Sequence, residues 1–179
     1  MQDTGELTAG GTDGLFSALY QQLRQEARKQ RSRVGGGVDT TALVNESYLK
    51  LMRSDLWHSR QHFLRTAAAA MRQVLVDEAR ARLAEKRGSG EVPLSLDKTG
   101  MADIVPGSHD DPNMTLGIDA ALVRLAAHNE RLARVVECRY FAGYSEQETA
   151  DILEVTERTV RRDWVKARAF LFAELDAKS

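Results

Sequence analysis

Apolar residues recur every three to four positions through most of this chain, the period of a helix with one buried face. Leu15, Leu19, Leu23 and Ala27, joined by Phe16 and Tyr20, predict a helix from Asp13 to about Arg33, which Gly35, Gly36 and Gly37 end. Asp39 or Thr40 opens a second helix, with Leu43, Val44, Ser47, Tyr48, Leu51 and Met52 on one face. Leu64, Ala67, Ala68, Met71, Leu75 and Ala79 stripe a long helix from Phe63 to Arg87. Helical spacing resumes near Leu116 with Ile118, Ala121, Leu122 and Leu125, and His128-Asn129 interrupts it. Asn129 then caps a helix carrying Leu132, Val135, Val136 and Tyr140, and Gly143 closes it. The expected fold class is all-α.

The last stretch, Tyr144 to Leu175, predicts two helices around a tight turn. Ser145 is placed to cap the first, with Glu148 at the capping-box position. Thr156 caps the second, and Val160, Trp164, Ala167 and Leu171 form its inward face. Arg158, Arg161, Arg162, Lys166 and Arg168 fall mostly on the remaining surface. A short helix, a turn and a longer helix with a basic exposed face fit a helix-turn-helix DNA reader, whose second helix enters the major groove. Arg side chains there pair with guanine or hold phosphates. Glu154 stands at the turn, where positive φ and Gly are common; a non-Gly residue in that conformation costs about 1–2 kcal/mol.

Between the two runs of helices, residues 88–115 show no sustained period and hold all three prolines, Pro93, Pro106 and Pro112. This segment reads as a linker. It divides the chain into a polar tail (1–12) expected to be disordered, a helical domain (13–87), the linker, and a second helical domain (116–179). Charge follows the same division. The whole chain is −1, which by itself argues against a nucleic-acid binder. Residues 1–87 carry 14 Lys/Arg against 10 Asp/Glu, residues 88–115 carry 1 against 5, and residues 116–179 carry 10 against 11. A basic front and an acidic middle are hidden in a neutral total, and positive charge in the last domain is concentrated on one helix.

Other chemistries find little support. A single cysteine, Cys138, excludes an intrachain disulfide and a cysteine zinc cluster, and its place on a helix suits core packing. His58 and His62 have i, i+4 spacing, but Ser59 stands where a zinc protease needs Glu, so no metal is expected. The triple glycine lacks the Lys-Ser/Thr of a phosphate loop. No paired-carboxylate or Ser-His constellation has usable spacing, so no enzyme and no cofactor are expected. The amino terminus has no signal-peptide pattern and no apolar run reaches membrane-spanning length. Cytoplasmic location without membrane insertion is the expectation.

Three segments in order, TALVNESYLKLMRS, HFLRTAAAAMRQVLVDEARARLAEKR and RLARVVECRYFAGYSEQETADILEVTERTVRRDWVKARAFL, resemble regions two and four of the extracytoplasmic-function (ECF) type of bacterial sigma factor, from roughly Gly14 to Leu175. The resemblance implies a protein that binds core RNA polymerase, recognises −35 and −10 promoter elements and assists DNA opening. It implies polymerase contacts at Glu46, Lys50 and Arg53. It implies −10 and melting contacts at Trp57, His58, Arg60, Arg72, Arg80, Arg82, Lys86 and Arg87, with Trp57 available to stack on an unstacked base. It implies −35 contacts at Arg158, Thr159, Arg161, Arg162 and Lys166. Core polymerase and promoter DNA are the implied partners, with an anti-sigma factor or other regulator as a further one. The alternative is a stand-alone helix-turn-helix regulator that needs no polymerase. Such a regulator normally reads paired half-sites as a dimer, and the first half lacks the strand-helix alternation of a receiver domain.

Overall fold

The computed structural model describes residues 59–88, 104–107, 109 and 111–177. The expected tail, the two helices before residue 54, Glu46, Lys50, Arg53, Trp57 and His58, and most of the expected linker lie outside the described residues. Within them the chain is all-α, with no strand. The helices are α1 (Arg60–Gly88), α2 (Pro112–His128), α3 (Glu130–Val136), a π-helical segment (Glu137–Phe141), α4 (Glu146–Leu153) and α5 (Glu157–Asp176). No described helix is long and apolar enough to cross a membrane.

Local chemistry explains most boundaries. Ser59 starts α1: its hydroxyl accepts from the His62 amide at 3.1 Å and its carbonyl from the Phe63 amide at 3.1 Å. Helix α2 begins at Pro112, earlier than the apolar period suggested. Asp111 caps it by accepting from the Asn113 amide at 2.9 Å, and Pro112 at the first position has no amide to leave unpaired. Asn129 both ends α2 and starts α3: its amide donates to the Leu125 carbonyl and its side chain accepts from the Leu132 amide.

The helix expected from Asn129 to Gly143 is not α-helical throughout. At Glu137 it widens into π geometry, where the Ala142 amide donates to the Glu137 carbonyl at 3.0 Å. Gly143 follows at φ 70°, a conformation that Gly takes without a Cβ penalty. The wider turn adds a residue to the inward face, so Cys138, Tyr140, Phe141 and Ala142 are all buried. An α-helical spacing rule alone places one of them outside.

Two apolar clusters join the two ends of the described chain. Leu75 and Val76 of α1 pack in the same cluster as Ile118, Leu122, Val135, Val160 and Leu171. Phe63, Leu64, Ala67, Ala68 and Met71 of α1 pack with Cys138, Ala142, Tyr144 and Ile152. Helix α1 thus lies against α2, the π-helical segment and α4. Part of the expected linker joins it: Ile104, Gly107 and His109 are buried, and the Gly107 amide donates to the Tyr140 carbonyl at 3.0 Å. The α2–α5 contact is close because residue 117 has no side chain; a Cβ there would sit 2.5 Å from Leu175 Cδ2.

Candidate nucleic-acid interface

Helices α4 and α5 form the hairpin expected from the sequence. The capping box at Ser145 is closed in both directions: the Glu148 amide donates to Ser145 Oγ at 3.1 Å and the Ser145 amide to Glu148 Oε2 at 2.7 Å. Glu154 ends α4 in the left-handed region at φ 55°, ψ 44°. Its amide and that of Val155 both turn back to the Ala150 carbonyl, which fixes the turn between the helices. Thr156 then caps α5 by accepting from the Thr159 amide at 3.2 Å. Val160, Trp164, Ala167 and Leu171 are buried as the period required.

This packing leaves Arg158, Arg161, Arg162 and Lys166 exposed on α5, with Thr159 half-buried. Of the five basic residues expected on α5, these four lie on its outer surface and Arg168 is half-buried. Their engagements differ. Arg161 donates to Glu146 of α4 at 3.0 Å and lies 3.9 Å from Glu157. Arg162 reaches Asp163 at 3.4 Å. Arg158 and Lys166 make no ion pair among the described residues. Two exposed charges in water interact weakly, so the Arg161–Glu146 contact holds the guanidinium in place at little cost to release.

Two groups behind this surface escaped the sequence reading. Asp163 is buried, with 1% of its side chain exposed, and accepts from Arg131 Nε of α3 at 2.6 Å. The pair ties α5 to α3. A signal was available: Asp163 lies three residues after Val160 and one before Trp164, on the buried stripe, where a carboxylate requires a cationic partner. The second group is Arg139, which donates to the Tyr144 carbonyl at 2.7 Å and lies 5.8 Å from the Trp164 ring centroid. Half-burial pulls its guanidinium below the ordinary value, against the opposing pull of Glu146 and Glu148.

The described residues among the −10 candidates lie along α1. Arg60, Arg80 and Lys86 are exposed, and Arg82 is half-buried with its guanidinium 3.5 Å from the His109 carbonyl. Arg80 pairs with Asp77 at 3.3 Å. Arg87 lies on α1, its side chain outside the description. Arg72 is different from the rest. Its Nε donates to Asp119 of α2 at 2.7 Å and its Nη1 to Glu137 at 3.0 Å, and its guanidinium lies 6.0 Å from the Phe141 ring centroid.

A polar cleft of about 540 Å³ opens between α1 and α3, lined by His62, Arg65, Thr66, Glu130, Arg131 and Arg134, with Leu153 at its edge. Glu130 there is paired with Arg134 at 3.1 Å. Cys138 is buried and its thiol is pushed up to about 12 by burial, with Glu137 adding to the shift; a thiol so held is a packing group rather than a nucleophile.

No curated protein and no solved structure matches this chain. A family model does, over residues 3–177, nearly the whole length; its description is ECF sigma factor. Together with the helix-turn-helix geometry and the basic outer face of α5, this match establishes that the chain belongs to the ECF sigma factor family, whose members act in transcription initiation.

Proposed function

We propose that this sigma factor carries core RNA polymerase to promoters whose −35 element is read by α5 and whose −10 element is read by α1 and the loop before it. The exposed basic face of α5, set by a closed capping box and a left-handed turn, is the observation that carries this reading. Arg158, Thr159, Arg161, Arg162 and Lys166 sit at the −35 major groove, where arginine recognises guanine edges or phosphates. Arg60, Arg72, Arg80, Arg82, Lys86 and Arg87 serve the −10 strand. Trp57 and His58 hold an unstacked base, and Glu46, Lys50 and Arg53 face the polymerase. In this reading residues 13–87 and 116–179 work as two units joined by 88–115. The polymerase performs all the chemistry, so the sigma factor itself needs no cofactor. The protein acts in the cytoplasm, and an anti-sigma factor or other regulator controls it.

The test is co-purification with core RNA polymerase followed by run-off transcription from fragments of the source genome. Stoichiometric binding and new discrete start sites are expected. Duplex-DNA binding without any binding to core would refute the proposal in favour of a stand-alone regulator.

A further inference from the structure

The cleft between α1 and α3 collects positive charge that the helix-turn-helix does not use. Arg65 comes from α1, Arg131 and Arg134 come from α3, and Glu130 is the one carboxylate in its lining. Counting His62 as neutral, the lining carries two net positive charges, in a chain whose total is −1. The cavity measures about 540 Å³, within the span of about 300–1,000 Å³ usual for small-molecule sites.

The three arginines are held differently. Arg134 is fully engaged: it donates to Glu130 at 3.1 Å and lies 3.6 Å from Glu137. Arg131 commits only its Nε, to Asp163 at 2.6 Å. That bond fixes the guanidinium plane and leaves the edge formed by Nη1 and Nη2 without a partner among the described residues. Arg65 is half-buried and makes no ion pair or hydrogen bond through its guanidinium among the described residues. A half-buried guanidinium loses part of its hydration, and like charges gathered in one cleft repel. An anion seated there relieves both. Guanidinium suits phosphate in particular, because its N–H groups reach two oxygens at once. Thr66 gives its hydroxyl proton to the His62 carbonyl at 2.9 Å, so its oxygen is left to accept from a ligand hydroxyl. Leu153 supplies an apolar edge.

We propose that this cleft binds a phosphate-bearing small molecule of the nucleoside diphosphate class, with its phosphates on Arg65 and Arg131 and its sugar and base toward Thr66 and Leu153. None of these four residues is among those assigned to DNA or polymerase, so the inference does not depend on the sigma-factor reading. The cleft is open to water, and binding there weakens as salt rises.

The test is isothermal titration calorimetry of the full-length protein with adenosine 5′-diphosphate at fixed ionic strength. One molecule is expected to bind per chain. Arg65→Gln is expected to weaken binding at least about ten-fold, the loss of one charge-assisted contact. Glu130→Gln removes the carboxylate of the cleft and frees Arg134, so it is expected to tighten binding by about two- to five-fold. Opposite signs in two variants of one cleft separate a site from a loss of fold, and far-UV circular dichroism of both variants checks that helicity is unchanged. The double variant Arg158→Gln/Lys166→Gln, which strips two cations from the exposed face of α5, is expected to leave the affinity as it was.

No saturable binding below about 1 mM overturns the proposal. So does affinity that survives Arg65→Gln, or that stays unchanged in Glu130→Gln. A loss confined to the α5 variant also overturns it, since the phosphates would then sit on the helix-turn-helix. Inorganic pyrophosphate separates the parts of the ligand. Weaker binding than the nucleotide supports the contacts at Thr66 and Leu153, and equal binding overturns them.

Discussion

The Arg131–Asp163 pair makes an asymmetric prediction. Asp163 is 1% exposed and Arg131 is 49% exposed. Arg131→Ala leaves a buried carboxylate with only Arg162 at 3.4 Å. Breaking a fully buried pair costs about 3–5 kcal/mol, because one charge stays desolvated without compensation. Solvent reaches Arg131, which screens part of that interaction, so the expected loss is about 1–3 kcal/mol. Asp163→Ala removes the buried charge itself and returns Arg131 to water. Its expected cost is smaller, about 1 kcal/mol for the lost charge-assisted hydrogen bond. The double variant should fall short of the sum by about 1 kcal/mol or more. Urea denaturation followed by far-UV circular dichroism measures all three, with equal m-values required for the comparison. Because the pair ties α5 to α3, both single variants should also weaken binding to a −35 duplex. The reasoning fails if Arg131→Ala costs no more than Asp163→Ala, or if the two effects simply add.

Three further predictions concern the turn at Glu154, the buried His109 and the recognition face. Glu154 is held at φ 55°, so Glu154→Gly should relieve about 1–2 kcal/mol of backbone strain and lose about 0.4–1 kcal/mol to the freer unfolded chain. The net gain should raise Tm by a few degrees; Glu154→Ala, which keeps the Cβ, should not, and equal Tm values in the two variants would count against a strained turn. Burial among Tyr140 and Phe141 lowers His109 to about 4 from 6.5, against the weaker opposing pull of the Phe141 backbone. The unfolded chain therefore binds a proton that the folded one refuses: stability is lost as pH falls from 6.5 to about 4, by about 3 kcal/mol at most. Urea midpoints of wild type and His109→Gln across that window check it, and identical pH slopes would exclude His109 as the cause. Arg161→Ala and Arg162→Ala should each weaken −35 duplex binding by about 1–3 kcal/mol where they read bases, and flatten the salt slope by about one where they hold phosphates. Unchanged affinity in both would move the recognition surface elsewhere.

Much of the helix-turn-helix was legible in advance because its determinants are local. A cap is a contact between residues three apart, so Ser145 with Glu148, Thr156 with Thr159 and Asn129 with Leu132 could be read from spacing. The turn position of Glu154 was legible, but whether it takes positive φ or the turn has another shape was open until the structure placed it at φ 55°. The stripes on α1 and α5 followed from the helical period, since a side chain's direction depends on its own backbone. The π-helical widening at Glu137 did not follow, because it shifts the register that the period assumes. Composition masked the start of α2, where a proline and acidic residues imitate a linker while serving as first helical residue and cap.

Within the described residues, the sequence by itself determined which segments are helical, where most of them begin and end and which face of each is apolar, and it pointed to the family. Tertiary structure alone decided what each charged side chain touches. Arg72 finds Asp119 and Glu137 across 47 and 65 residues of chain, and Arg131 finds Asp163 across 32. Such partners are chosen by how helices cross, which depends on the packing of whole faces. An arginine on a basic helix reads the same in sequence whether it is open to solvent, as Arg158 is, or held by two carboxylates, as Arg72 is.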